Sequence, residues 1–215
     1  MTRIPVVERI MKANDDVALA NRRLLDAHAI HAVNIIAAPG AGKTSLILAV
    51  AQALAGRRRV GVIEGDLASD VDAQKVRAAG LPVHQINTGG GCHLDARQVS
   101  AALAQLPLDE IDVLLIENVG NLVCPVSFVL GEHTRLAISS VPEGDDKPHK
   151  YPTVFANVDA LALNKADLLA FMPYDVVEFE RLVRTLNPEI TFFQVSATSG
   201  AGIDDLANWL VELTA

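Results

Sequence analysis

The sequence predicts an α/β protein with a mostly parallel sheet, flanked on both faces by helices, and an amphipathic helix packed outside it. The main observation is that short β-rich runs alternate with helical stretches; the runs are AVNIIAA, RVGVIEG, LPVHQIN, DVLLIEN, VDALALN and TFFQVSA. The second is that 215 residues, 50% of them hydrophobic and 20% charged, suffice for a full core. Because such sheets hold ligands at the carboxyl ends of their strands, we expect the functional residues to follow these runs.

The amphipathic helix is predicted over IPVVERIMKANDDVALANRRLLDAHAI, ahead of the first β-rich run. Its apolar stripe is predicted to include Val6, Ile10, Val17, Leu24 and Leu25. We therefore divide the chain into an N-terminal helix, residues 1–31, and a second domain, residues 32–215, which carries the predicted sheet.

Charge and cysteine content argue against several classes of protein. A formal net charge of −8 disfavours binding to nucleic acid or to an anionic membrane by bulk electrostatics. The sequence has no uninterrupted apolar segment long enough to span a bilayer. Two cysteines and no N-terminal signal pattern indicate a reducing compartment. We expect a cytoplasmic protein in which a cysteine beside a histidine concerns metal or reactivity rather than a disulfide.

A glycine-rich segment, AAPGAGKTS at residues 37–45, joins the first β-rich run to the apolar stretch LILAVAQALAG. In this setting its backbone N–H groups would wrap the phosphates of a nucleotide, Lys43 would reach the β and γ oxygens, and Thr44 would ligate Mg²⁺. Ala37 stands where the general pattern has glycine, and the alternative is a simple glycine-rich helix start. We predict a P-loop with nucleotide-binding residues Gly40, Ala41, Gly42, Lys43, Thr44 and Ser45.

The segment NKAD, residues 164–167, follows a later β-rich run and predicts which base is bound. The Asp167 carboxylate can accept hydrogen bonds from N1–H and from the exocyclic amine of guanine, whereas adenine has an acceptor at N1 and lacks that amine. Taken alone, the four-residue match also fits a helix start. Downstream of a P-loop it predicts GTP, with Asn164, Lys165, Asp167, Ser196 and Ala197 completing the nucleotide site.

Two acidic segments follow strands where the γ-phosphate and Mg²⁺ are expected. RVGVIEG leads to Asp66 and Asp72, and DVLLIENVG supplies Glu117 and Gly120 as an acidic variant of the DxxG turn that senses γ-phosphate. Each acid alone also fits a helix cap or a solvated side chain. Their shared position favours function, and we predict Lys43, Asp66 and Asp72 as catalytic residues, the two aspartates holding Mg²⁺ or the attacking water.

Asn121 follows Gly120, where Ras-like enzymes have a water-orienting glutamine. The residue that usually positions the attacking water is therefore replaced. We expect slow intrinsic hydrolysis of GTP.

A cysteine and a histidine lie side by side in TGGGCHLDA, residues 88–96, and the second cysteine, Cys124, lies in ENVGNLVCP. Thiolate and imidazole suit zinc and nickel. One chain offers three donors, Cys92, His93 and Cys124, so a four-coordinate site needs water or a second subunit. The alternative is that each cysteine is a small buried hydrophobe. The other histidines are interpreted as surface or hydrogen-bonded residues: His28, His31, His84, His133 and His149.

Taken together, six segments of this chain resemble the hydrogenase nickel-incorporation GTPases of the HypB type, among the SIMIBI P-loop GTPases. The segments are GAGKT, IEGD, NTGGGCHLDA, ENVGNLVCP, EGDDKPHKYP and LNKADL. The resemblance implies a GTPase that delivers nickel to the large subunit of nickel–iron hydrogenase, dimerises when GTP is bound, and works with a small zinc-containing nickel carrier. It also implies site residues: Cys92, His93 and Cys124 for nickel or zinc at the subunit interface, Thr44, Asp72 and Glu117 around Mg²⁺, and Lys150 near the partner subunit's nucleotide.

Three alternatives are weighed against this interpretation. The related urease-maturation GTPases carry a CPH-like metal segment, whereas this chain has adjacent cysteine and histidine and a second cysteine after ENVG. A metal-binding scaffold with a structural nucleotide site would not turn over GTP, and a small-molecule kinase would usually lack NKxD. The sequence begins without a cysteine-rich or histidine-rich nickel motif, so we expect one regulated metal site rather than nickel storage.

Overall fold

A computed structural model describes residues 6–214, with side chains described from residue 11 onward. In this range the strands are β1 (His31–Ala37), β2 (Val60–Asp66), β3 (Val83–Asn87), β4 (Val113–Glu117), β5 (Thr134–Ser140), β6 (Ala160–Asn164) and β7 (Thr191–Gln194). The helices are α1 (Val6–Ala27), α2 (Lys43–Leu54), α3 (Val71–Ala78), α4 (Ala96–Leu103), α5 (Lys147–Lys150), α6 (Pro152–Ala156), α7 (Val176–Leu186) and α8 (Ile203–Leu213).

The strands form one sheet in the order β3-β2-β4-β1-β5-β6-β7, and every neighbouring pair is parallel. The predicted fold class is confirmed. Because all strands run the same way, the segments that follow them emerge at one edge of the sheet. The division of the chain near residue 31 stays a prediction.

Strand β5 was not among the predicted β-rich runs, and the sequence interpretation was wrong there. Its sequence, TRLAISS, carries hydroxyl side chains where a central strand usually has apolar ones. Two of the three buried hydroxyls are bonded: Thr134 Oγ1 lies 2.8 Å from His31 Nε2, and Ser140 Oγ donates to Glu143 at 2.8 Å, whereas Ser139 Oγ has no partner among the described residues. These two hydrogen bonds offset most of the cost of burying a polar segment between β1 and β6.

Alternating residues of β1 face opposite layers of the core. Val33, Ile35 and Ala37 pack with the buried side chains of α2 and α8, while Ala32 packs with those of α1 and α4. Ile36 joins a third cluster that contains buried residues of α6 and α7. The sheet is thus covered by helices on both faces, and its carboxyl edge is left to the connecting loops.

Helix α1 packs through a different face from the predicted apolar stripe. Leu24 is 38% exposed and Val17 is half-buried, whereas Leu25 is buried as predicted. The side chains of Val6 and Ile10 lie outside the described residues. The buried face is formed by Asn14, Ala18, Asn21 and Leu25.

The two buried asparagines bond α1 to the segments that follow the Cys-His loop and Cys124. Asn21 Nδ2 donates to the carbonyls of Ala96 and Leu130, at 2.8 and 2.9 Å. Asn14 accepts from the Ala96 N–H at 2.9 Å and donates to the Val129 carbonyl at 2.8 Å. An amide side chain matches backbone groups of both polarities, so these positions favour asparagine over leucine. Among residues 6–214, no helix has both the length and the apolar character needed to cross a bilayer.

Candidate nucleotide and metal sites

The segment between β1 and α2 has the backbone of a phosphate-binding loop. Gly40 and Gly42 have φ values of 78° and 92°, which strongly favour glycine, and α2 begins immediately afterwards at Lys43. Gly42 is also required for space, because a Cβ atom there would lie 2.7 Å from Asn164 Nδ2. The free N–H groups at the start of α2 can therefore face an anion.

Side chains of NKAD bond directly to this loop. Asn164 Nδ2 donates to the Ala41 carbonyl at 2.9 Å, and Lys165 Nζ donates to the Gly40 carbonyl at 2.7 Å. Asn164 Oδ1 in turn accepts from the Ala197 N–H at 3.3 Å. The three segments predicted from separate motifs are thus fixed to one another.

Asp167 is exposed beside these contacts. Ser196 Oγ donates to Asp167 Oδ1 at 2.5 Å, which orients the carboxylate. The turn after Ser196 depends on Gly202, since a Cβ atom there would lie 2.1 Å from the Gln194 carbonyl oxygen, and its φ is +68°. Asp167 is therefore held at the surface next to the phosphate-binding loop, with its position set by β6 and β7.

A second cluster lies beside the start of α2 and contains three carboxylates. Glu117, buried at the end of β4, accepts from Thr44 Oγ1 at 3.1 Å and lies 3.8 Å from Lys43 Nζ. One ligand oxygen each from Glu64, Asp72 and Glu117 can be chosen so that all lie within 4.8 Å of one another. Glu64 was missed by the sequence interpretation. The available signal was a glutamate within a run of buried β-strand residues, a placement that is rare without a partner.

Burial changes the acidity of this cluster. It raises the pKa of Glu64 to about 8, helped by the neighbouring Glu117 carboxylate, and raises that of Glu117 to about 7 against the opposing charge of Lys43. The buried Oε2 atoms of both glutamates have no hydrogen-bond partner among the described residues. Carboxylates with unpartnered buried oxygens, beside a threonine hydroxyl, form a donor set that fits Mg²⁺.

The two predicted catalytic aspartates lie at different places. Asp66 Oδ1 accepts from the N–H groups of Ala68 and Ser69, at 2.9 and 2.7 Å, and so caps the loop after β2. Burial raises the pKa of Asp66, but these N–H groups and Lys43 outweigh it, and the pKa lies below its usual value. Asp72 lies in the carboxylate cluster, where one oxygen accepts from Lys75 Nζ at 2.6 Å.

The three predicted soft-metal ligands come together although they follow different strands. One ligand atom each of Cys92, His93 and Cys124 lies within 4.8 Å of the others, and Cys92 Sγ is 3.6 Å from His93 Nδ1. The His93 ring stacks on Phe128 at a centroid distance of 3.9 Å. Burial lowers the pKa of His93, which favours the neutral imidazole that binds metals. A hydrogen bond with the Cys124 thiol raises the pKa of Cys92.

Three of the other histidines are hydrogen-bonded, as interpreted. His133 Nε2 lies 2.8 Å from Asp26, and the His133 ring packs 4.8 Å from that of His31, which itself bonds to Thr134. His28 Nδ1 lies 2.9 Å from Asp109.

Lys150 is exposed at the end of α5 and pairs with Asp146 on the same segment. That pairing raises the pKa of Lys150. Ser45, which is also predicted to bind nucleotide, is exposed in the first turn of α2.

Comparison with known proteins agrees with this arrangement. Residues 31–194 match the family described as CobW/HypB/UreG, nucleotide-binding domain. The hydrogenase maturation factor HypB of Azotobacter vinelandii is 46% identical over 205 residues, covering 95% of this chain and 68% of the relative. The same factor of Escherichia coli K12 is 45% identical over 201 residues, covering 94% and 69%.

Solved structures show the same similarity. HypB from Helicobacter pylori in complex with nickel superposes with a TM-score of 0.90 at 36% identity, covering 94% of this chain and 95% of that one. HypB from Archaeoglobus fulgidus gives 0.88 at 35% identity, covering 95% and 100%. The chain therefore belongs to the CobW/HypB/UreG family, within its HypB type.

Proposed function

We propose that this chain is a cytoplasmic GTPase that assists nickel insertion into nickel–iron hydrogenase, and that it couples GTP-dependent dimerisation to its Cys-His metal site. The observation that carries the proposal is the shared edge of the sheet. The P-loop, NKAD and the Cys92-His93-Cys124 group all lie at the carboxyl edge of the sheet. The segment after Glu117 connects the P-loop to the Cys92-His93-Cys124 group. The relatives' names as hydrogenase maturation factors, and a nickel complex of one of them, support the choice of process and metal.

Mg²⁺ would be held by Thr44, Asp72 and Glu117, with Glu64 as an additional ligand beyond those expected from the sequence. When bound, the ion offsets negative charge on the phosphates. Lys43 is held against Glu117 at the start of α2, so its ammonium group would face the transferring phosphoryl group. Asp66 and Asp72 would hold the ion or orient the attacking water, and hydrolysis is expected to be slow because Asn121 replaces the usual glutamine.

The soft-metal site is proposed to be completed by a second subunit. Cys92, His93 and Cys124 supply three donors, and zinc or nickel in a four-coordinate site needs one more. Cys92 is exposed, and neighbouring Val123 is 62% exposed, so the ligand set lies at a surface that a second copy could cover. Lys150 would then approach the partner subunit's nucleotide. The further partners are the hydrogenase large subunit and a small zinc-containing nickel carrier, without nucleic acid or membrane.

Urease maturation is a second candidate function, because one relative with 37% identity is named a hydrogenase/urease maturation factor. The Cys-His pair and the second cysteine favour the hydrogenase assignment. A scaffold with a structural nucleotide site is distinguished by measuring GTP turnover.

Replacing Asp167 with asparagine should weaken GTP binding by about 2–3 kcal/mol, the scale of hydrogen bonds to a charged group. The amide places an NH₂ group where guanine also has donors, while xanthine offers an acceptor there. Competition binding with guanosine and xanthosine nucleotides measures the change. Exposed Asp204→Asn on α8 is the matched control. Unchanged GTP affinity in Asp167→Asn would remove this residue from the base site.

Replacing Lys43 with alanine should abolish GTP turnover, because this ammonium group at the start of α2 would offset charge on the transferring phosphoryl group. Phosphate release is measured with saturating GTP and Mg²⁺. Lys12→Ala, on the exposed side of α1, should keep the parent rate. Parent-like turnover in Lys43→Ala would show that this loop is not the catalytic centre.

Replacing Glu64 with glutamine should flatten the pH dependence of stability in protein free of metal and nucleotide. The folded pKa values of Glu64 and Glu117, about 8 and about 7, lie above the ordinary value of 4.5, so the folded state holds protons that the unfolded chain has released. The free energy of unfolding therefore falls as pH rises through this window, by up to about 1.4 kcal/mol per pH unit for each carboxyl.

Urea denaturation between pH 5 and pH 8 in the presence of a chelator tests the Glu64 prediction. Glu64→Gln should be more stable than the parent at the alkaline end, because it carries no charge that burial penalises. Exposed Glu212→Gln should follow the parent curve. Identical pH slopes for Glu64→Gln and the parent would contradict the assignment of that proton to Glu64.

Cys92→Ala and Cys124→Ala should each remove metal-enhanced dimerisation while leaving GTP binding to the monomer nearly intact. Each change removes one of the three proposed soft ligands and leaves the P-loop contacts in place. Sedimentation analysis, with bound nickel and zinc measured in the same samples, is run without nucleotide, with GDP and with a non-hydrolysable GTP analogue. Nickel affinity that is equal in all three states of the parent would overturn the proposed coupling.

A further inference from the structure

The side-chain amide of Asn121 spans the two segments that carry the soft-metal ligands. Its Nδ2 donates to the Cys92 carbonyl at 3.2 Å, and its Oδ1 accepts from the Val123 N–H at 2.8 Å. Val123 directly precedes Cys124. One half-buried side chain therefore contacts both the Cys-His loop and the residue before the second cysteine.

The turn that carries Asn121 also touches the P-loop. A Cβ atom on Gly120 would lie 3.1 Å from the N, Cα and Cγ atoms of Pro39, so these two segments are tightly packed. Pro39 directly precedes Gly40. A displacement of the turn relative to the P-loop therefore moves Asn121 as well.

Asn118, at the other end of this turn, is a fixed anchor. It is fully buried, and its Oδ1 accepts from the N–H groups of Leu94 and Val119, each at 3.0 Å. Its Nδ2 donates to Asn34 Oδ1 in β1 at 3.2 Å. The Cys-His pair is thus followed by an anchored residue, Leu94, while the Cys92 carbonyl accepts its hydrogen bond from Asn121 in the turn.

The loop before Cys92 has open space around two of its glycines. Gly89 and Gly90 have φ values of 60° and 103°, and a Cβ atom on either would meet no atom within 4 Å. The loop is therefore not packed against the rest of the domain at these two positions.

We infer that Asn121 is a positioning residue that transmits the state of the nucleotide to the metal ligands. The inference rests on the proposed coupling between GTP and metal and names the contact through which it acts. A contact that merely supported the loop would change metal affinity by the same factor in every nucleotide state. A transmitting contact changes the ratio between states.

The test is the nickel affinity of the full chain without nucleotide and with a non-hydrolysable GTP analogue, for the parent, Asn121→Ala and Asn157→Ala. Asn157 is the matched control, since it is exposed and bonds only locally, to the Thr153 carbonyl. We expect Asn121→Ala to bind nickel within about 30-fold of the parent without nucleotide, the factor that the two lost hydrogen bonds supply at about 1 kcal/mol each. The affinity gain produced by the GTP analogue should fall to nearly one, while Asn157→Ala keeps the parent gain.

Asn121→Asp is a second variant, which keeps the acceptor for the Val123 N–H but loses the donor to Cys92. The negative charge added by aspartate changes nickel affinity both with and without the GTP analogue. The readout is therefore the ratio of the two affinities, which should fall to nearly one, as for Asn121→Ala. Equal losses in both states, with the parent ratio kept, would show that Asn121 only supports the loop and would leave the proposed function standing. If the parent protein itself bound nickel equally well with and without the GTP analogue, both the role of Asn121 and the proposed coupling of GTP to metal would be overturned.

Discussion

The contact between buried Glu117 and the first turn of α2 is the interaction on which the rest of the site depends. A buried carboxylate is costly unless charged or hydrogen-bonding groups face it, and here Lys43 and the Thr44 hydroxyl do so. Because Glu117 is also the last residue of β4, the same contact sets where the following turn begins. That turn packs on the P-loop through Gly120 and reaches the Cys-His loop through Asn118 and Asn121. The carboxyl end of β4 thus contacts both the candidate phosphate site and the Cys-His loop.

Features that rest on local sequence could be predicted. The P-loop and NKAD follow buried strands, and a parallel sheet brings strand ends to one edge, so their proximity follows from the fold class. Glu64 could not be placed in the same way, because it meets Glu117 only through the register of β2 on β4. Likewise, buried Asn14 and Asn21 bond to backbone groups 75 to 115 residues away in sequence. Partners at such distances leave no periodic signal within a helix.

The carboxylate cluster also explains why nucleotide and cation should bind together. The three carboxylates of Glu64, Asp72 and Glu117 are faced by two lysines, Lys43 beside Glu117 and Lys75 on Asp72, so triphosphate alone would add negative charge to an already acidic pocket. Protons on the two buried glutamates offset part of that charge in the cation-free protein, as their raised pKa values indicate. Mg²⁺ held by these residues would replace those protons with a divalent charge that offsets charge on the phosphates. Cation binding should therefore release protons near neutral pH.

The two metal sites differ in how firmly the fold holds them. The carboxylates of Glu64 and Glu117 lie on adjacent strands and cannot shift without the sheet, whereas Cys92 follows two glycines in the left-handed region. His93 is held more firmly than Cys92, because its ring is stacked on Phe128 while Cys92 is exposed. Under the proposed function, the firmly held carboxylates would keep nucleotide and cation bound while the thiol site acquires and releases a second metal. By linkage, nickel must raise the affinity for GTP by the same factor by which GTP raises the affinity for nickel.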